Sequence, residues 1–285
     1  MDRAELKLIL EKIGKDDFQI GKNMDFEYIN NAMIDHIGDL DPSLRDSLIC
    51  DTFYEWLADD ARYNPDLLLQ MLRRLTSEEC LFRGLDKPDN VYTRTFSSLI
   101  IGQIIEYHRR KPFLSADELH DLTDIIHKYC RYESVFSGYH ERYGWAHAGA
   151  HTADVIGALA NCAELGTNEL ESLLDCIDII LCNGCQMLSH EEDERLSRAA
   201  VMIYKNKIMN SKIFARWLEH LSTYTSGVED MNLYRNCVNA KNFTRAMYFK
   251  ALHFNMDEGL INTLLEVEKK LNRYAVIDRK YFMQE

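Results

Sequence analysis

Proline occurs only at Pro42, Pro65, Pro88 and Pro112 of this 285-residue chain. Inside a helix, proline removes a backbone hydrogen bond and clashes with the preceding turn, so the long stretch after Pro112 is free to be helical throughout. Asp41-Pro42 and Asn64-Pro65 place a capping side chain before proline at a first helical position, and Pro88 lies near a third start. Apolar residues recur at helical spacing in one segment after another. Leu6, Leu8, Ile9, Leu10 and Ile13 stop near Gly14, and Tyr28, Ile29, Ala32, Met33 and His36 stop near Gly38. Stripes follow at Leu44 to Leu57, Leu67 to Leu72 and Phe96 to Ile105. Ser115-Ala116-Asp117-Glu118 is a capping box that opens a helix through Tyr129, and Ser189 to Glu192 has the same form. The spacing predicts further helices near 145–164, 168–187, 190–207, 211–223, 229–252 and 257–280. No alternating run or Asn-Gly pair marks a strand or hairpin.

About eleven helices with short links fit an all-α fold: a right-handed superhelix of antiparallel helix pairs, a solenoid of the HEAT or armadillo kind. Residues 1–285 read as one continuous helical-repeat domain, because the strongest boundary, Arg110 to Leu114, is too short for a linker.

The formal charge of -13 disfavours general attraction to nucleic acid or anionic lipid. No apolar run is long enough to span a membrane, and the first residues alternate charge with apolar side chains, unlike a secretion leader. The eight cysteines, Cys50, Cys80, Cys130, Cys162, Cys176, Cys182, Cys185 and Cys237, are scattered through helical patterns and read as reduced, cytoplasmic thiols.

Chemistry concentrates in Gly144-Trp145-Ala146-His147-Ala148-Gly149-Ala150-His151-Thr152-Ala153-Asp154. On a helix, His147, His151 and Asp154 share one face, surrounded by side chains small enough to leave them approachable or to let another helix pack close. Two imidazoles and a carboxylate could hold a divalent metal, or act as an acid–base pair with Asp154 setting a tautomer. They could equally be hydrogen-bonded core groups that dock helices. The zincin metalloprotease pattern needs glutamate after the first histidine, and Ala148 stands there.

Glu191, Glu192, Asp193 and Glu194 open a helix, where acids meet the positive end of its dipole. Four exceed what capping needs, so one or two could face the histidine helix, with Arg195 pairing Asp154 or an acid of its own run. Cys182 and Cys185 have the gap of a zinc pair but lack a second pair. His120-Asp121 follows a capping box on an amphipathic helix and reads as solvated. Tyr139, Tyr143 and Trp145 form an aromatic approach to the histidines. No phosphate loop, nucleophile elbow or dinucleotide fingerprint is present.

The histidine motif, Glu192-Asp193-Glu194-Arg195-Leu196, Val91 to Ser97, and the early stretch from Asp41-Pro42 through Leu44-Arg45-Asp46 to Trp56 together resemble a bacterial family catalogued as domain of unknown function 2785. The resemblance implies a helical-repeat fold and no established activity. It also implies that Arg94, Trp145, His147, His151, Asp154, Asp193, Glu194 and Arg195 belong to one ligand-binding neighbourhood. The leading expectation is a polar pocket on a concave face that takes a small polar ligand or a segment of a partner protein. One alternative is a metal-dependent hydrolase, with His147, His151 and Asp154 as ligands and Glu191, Glu192 or Asp193 activating water. The other is a scaffold in which the motif only packs helices.

Overall fold

The computed structural model describes residues 1–85, 87–224 and 230–282, and among these the chain is helical apart from one pair of two-residue strands. Helices α1 (Arg3–Lys15) and α2 (Phe26–Asp35) are capped by Asp2 and Asp25, whose carboxylates take first-turn amides. α3 (Pro42–Leu44) begins at Asp41-Pro42, widens into a π-helical turn at Arg45–Cys50 and resumes as α4 (Asp51–Ala58). Such wide turns recur at functional sites. α5 (Pro65–Leu75) starts with Asn64 capping Leu67, and α6 (Val91–Arg110) follows a short 3-10 turn.

The box at Ser115 opens α7 (Ala116–Tyr132): Ser115 Oγ accepts the Glu118 amide, and the Glu118 carboxylate accepts the Ser115 amide at 2.8 Å. Strands β1 (Tyr139–His140) and β2 (Gly144–Trp145) pair antiparallel where no strand is expected from the pattern. The turn is too short for alternation to register, and it closes through Gly144 at φ +72. α8 (Ala148–Ala160), α9 (Thr167–Leu181), α10 (Glu192–Lys205), α11 (Ser211–Leu221) and α12 (Met231–His253) complete the central part. The expected start of α12 at 229 lies outside the described residues. The helix expected over 257–280 is two, α13 (Glu258–Leu271) and α14 (Arg273–Phe282), because Asn272 leaves helical geometry and its side chain takes the Tyr274 amide.

α6, α8, α10 and α12 pack one on the next, with α7 against α9 and α11 against α13 beside them. One apolar cluster runs from Leu6 through Phe96, Ile156 and Phe243 to Leu271. α8 lies between α6 and α10, its alanines and glycines allowing close approach on both flanks. None of the helices described is long and apolar enough to cross a membrane.

Candidate functional site

The motif straddles the start of α8 instead of lying within it. His147 is the N-cap, in the left-handed region at φ 52 and ψ 34, so the expected helix over 145–164 begins at Ala148. Its carbonyl accepts the His151 amide at 2.9 Å, its own amide donates to Gly138 at 3.2 Å, and Nδ1 is buried without a partner among the described residues. The two imidazoles stack at 5.8 Å, and Trp145, 42% exposed, tilts over His147 at 4.2 Å. Tyr139 and His190 meet the Trp145 ring edge-on.

His151 is only 8% exposed. Its Nδ1 lies 3.0 Å from Thr95 Oγ1 on α6, and its ring meets Phe96 edge-to-face. Burial, then the neighbouring His147 and Arg195, holds His151 down to about 3. Burial, then Arg195 and His190, holds His147 down to about 4. Both rings are therefore neutral at pH 7.

Asp154, about one turn beyond His151 on α8, faces α10. Arg195 grips it with two N–H groups, Nε at 2.9 Å from Oδ1, and Arg198 adds a third bond. Its oxygens are thus committed to guanidinium groups, and the donor atoms of His147, His151 and Asp154 do not gather within 4.8 Å of one another. A metal does not fit this trio. The physical reason is the left-handed cap, which sets His147 outside the helix, together with the two arginines that claim the carboxylate.

The acidic run divides by function. Glu191 is an exposed, left-handed N-cap at φ 65 with no capping bond from its side chain, so the capping box expected at Ser189 does not form. Glu192 is buried, and its carboxylate accepts the His190 amide at 2.7 Å. Burial raises the Glu192 and Asp193 carboxyls above their ordinary values. Asp193 lies half-buried near Lys250, and Glu194 pairs with Lys250.

Arg94 stands apart from the histidines. It is fully buried and joined to Glu133 at 2.7 and 2.8 Å, and its third nitrogen reaches the carbonyls of Arg83, Gly84 and Lys87. Tyr129 and the amides of Ser134 and Val135 complete the Glu133 carboxylate. This knot ties α6 to the end of α7 and holds nothing free for a ligand.

Arg45, not among the expected site residues, is the support for Trp145. From the π-helical turn it donates to the carbonyls of Tyr143 at 2.7 Å and Trp145 at 3.3 Å, while its guanidinium lies over Tyr92 and Phe96. His190 and Arg198 were likewise not among the expected site residues, although α10, which His190 precedes and Arg198 lies on, was expected to face the histidines. For Arg45 the one signal is the Leu44-Arg45-Asp46 stretch in the resemblance.

Among the described residues, the one triad of ligating types within 4.8 Å is His108, Cys162 and Glu164. His108 Nδ1 accepts the amides of Phe113 and Leu114 at 3.0 and 3.1 Å, which leaves the hydrogen on Nε2, pointed at Glu164. Cys162 bonds the Ala158 carbonyl, and burial pushes its thiol up to about 12. The three lock the α6–α7 link to the end of α8. Cys185 is exposed and Cys182 half-buried, its thiol also pushed up to about 12 by burial. His120 is exposed and bonds Glu169 at 2.8 Å.

Beside Asp154 an open cleft of about 490 Å³ runs between α4, α6, α8 and α10. Leu57, Ala58, Leu99, Gly102, Ala153, Gly157, Ala158 and Met202 give it an apolar lining. Glu106, Arg110, Asp154 and Arg198 edge it, and Gln103 presents a buried Oε1 with no partner among the described residues. A β-carbon on Gly157 would come within 2.8 Å of the Met202 sulfur, so glycine keeps α8 and α10 close along this wall. The histidines lie outside the lining; of the motif, Ala153 and Asp154 enter it.

Residues 81–249, more than half of the chain and including every part of the motif, match the family described as protein of unknown function (DUF2785). The chain belongs to that family. No curated protein and no solved structure matches it. The matched span of this family member runs from just before α6 into α12, and so contains three of the four helices that wall the cleft.

Proposed function

We propose that this family member is a binding protein of the helical-repeat kind whose ligand occupies the cleft between α4, α6, α8 and α10. The observation that carries the reading is the cleft itself. Its volume falls in the range of small-molecule sites, about 300–1,000 Å³, and it combines an apolar floor with a few polar groups at the edge. The successive packing of α6, α8, α10 and α12, with α7, α9, α11 and α13 alongside, supports a HEAT-like superhelix in one domain, and the free thiols suit a cytoplasmic setting. In this reading the histidine motif does not hold the ligand. His151 docks α8 on α6, while His147 and Trp145 seat the hairpin, so that Asp154 and its arginines stand at the cleft edge.

Ala58 is exposed at the end of α4 and lines the cleft, so Ala58→Trp fills the space without disturbing the core. A thermal-shift screen of small metabolite-like compounds against the unmodified protein and this variant tests the reading. The expected result is a set of compounds that raise the melting temperature of the unmodified protein alone. Equal stabilisation of both proteins by every active compound would place binding elsewhere and sink the proposal.

A further inference from the structure

The four charges that line the cleft, Glu106, Arg110, Asp154 and Arg198, sum to zero, but Asp154 is held from outside the lining by Arg195, and that selects a ligand class. At one end, Glu106 accepts two bonds from Arg109, while Arg110 is held by Asp60 and the Leu57 carbonyl. Those charges offset one another. At the other end Asp154 is, among the described residues, the one carboxylate paired with these two guanidiniums, and Arg195 already spans both of its oxygens. Arg198 is therefore in excess. Its side chain is about half exposed, it lines the cleft, and its Nε and second terminal nitrogen have no partner among the described residues. An arginine left with free donors at the Asp154 end, in a chain of charge -13, is a local feature that runs against the charge of the whole molecule.

We infer that the cleft takes a small amphipathic acid, a carboxylate or comparable anion on an apolar body. This rests on the binding reading above. The anionic head meets Arg198, with planar N–H groups suited to a carboxylate. The body lies on Leu57, Leu99, Gly102, Gly157 and Met202, where small residues leave room and no charge needs desolvation. Gln103 supplies one hydrogen-bonding group partway along the floor, for a hydroxyl or amide of the ligand. A cationic ligand would face the surplus guanidinium, and a purely polar one would leave the apolar floor uncovered and its own hydrogen bonds unmet.

Octanoate and 1-octanol, alike except for the charge, are the probes. The full-length protein is labelled at its methionine methyl groups, and the Met202 resonance, assigned with Met202→Leu, reports on cleft occupancy by NMR. Octanoate should shift it saturably and bind at least tenfold more tightly than octanol. Arg198→Glu should weaken octanoate at least tenfold and octanol less than twofold; Arg198→Gln should fall between. Ala58→Trp should weaken both. Equal binding of the two probes, or an octanoate affinity indifferent to Arg198→Glu, overturns the anionic class while leaving the cleft as a binding site. No shift of Met202 with octanoate overturns the amphipathic acid outright, and the thermal-shift screen then decides whether the cleft binds anything else.

Discussion

Two clusters of arginine and carboxylate sit on the central helices, and they are built to opposite ends. At Arg94 and Glu133 both side chains are fully buried, charge is matched, and hydrogen bonds to backbone and Tyr129 use the remaining valences. At Asp154 a half-buried carboxylate faces two arginines, one of them about half in solvent with donors to spare. Burying a charge is tolerable only when every part of it is answered, so the first cluster is a structural rivet. The second sits where water can compensate it and can afford a surplus, and a surplus is what a ligand can use. Family-like sequence stretches run through both, yet only one offers free chemistry.

The largest expected effect comes from breaking the sealed pair. Arg94→Met leaves Glu133 charged and buried, and should cost about 3–5 kcal/mol of unfolding free energy in urea titrations. A cost below about 1 kcal/mol would show that the knot is not the rivet described.

Next comes acid. His151 and His147 are neutral in the fold down to about 3 and about 4, whereas in the unfolded chain they take up protons below their ordinary value of 6.5. The unfolded state therefore binds more protons as pH falls from about 6.5 toward 3, and stability drops across that window. The raised carboxyls of Glu192 and Asp193 oppose this, but only nearer their own titration range. His151→Gln should flatten the slope between pH 6.5 and 5 relative to the unmodified protein, removing about 2 kcal/mol of the stability change across that window; an unchanged slope would mean that His151 is not the buried neutral ring.

A smaller loss is expected at Gly138, where a β-carbon would fall 2.4 Å from His190 Nδ1 and 2.7 Å from Glu192 Oε1. Gly138→Ala should cost about 1–3 kcal/mol and quench or shift Trp145 fluorescence as the hairpin moves. Smallest is the open cluster: a double-mutant cycle of Asp154→Asn and Arg195→Met should give a coupling of about 0.2–1 kcal/mol. A coupling as large as that of Arg94 with Glu133 would erase the contrast between the two clusters.

Much of the helical scaffold was legible because it is written locally. Asp25, Asn64, Ser115 and Asp257 cap the helices they precede, and the apolar stripes bury as their spacing requires. The motif was legible as a cluster but not in its role. Helical spacing put His147 on α8, whereas a left-handed N-cap, which small-residue neighbours conceal, set it in the hairpin junction. The pairing of Arg94 with Glu133 spans 39 residues and the cleft draws on four helices, so neither leaves a periodic trace.

Residue types and spacing alone thus determined that the chain is helical and where most of its helices begin, and offered the pairing of Arg195 with Asp154 that the fold contains. Caps, stripes and proline positions act within a turn or two, and that is the range over which sequence spacing equals distance in space. Tertiary structure alone decided which of those groups were sealed and which were left open. Burial and charge balance depend on what the neighbouring helices bring, and it is α8 and α10, remote in sequence from each other, that leave Arg198 unmatched at the edge of an apolar cleft.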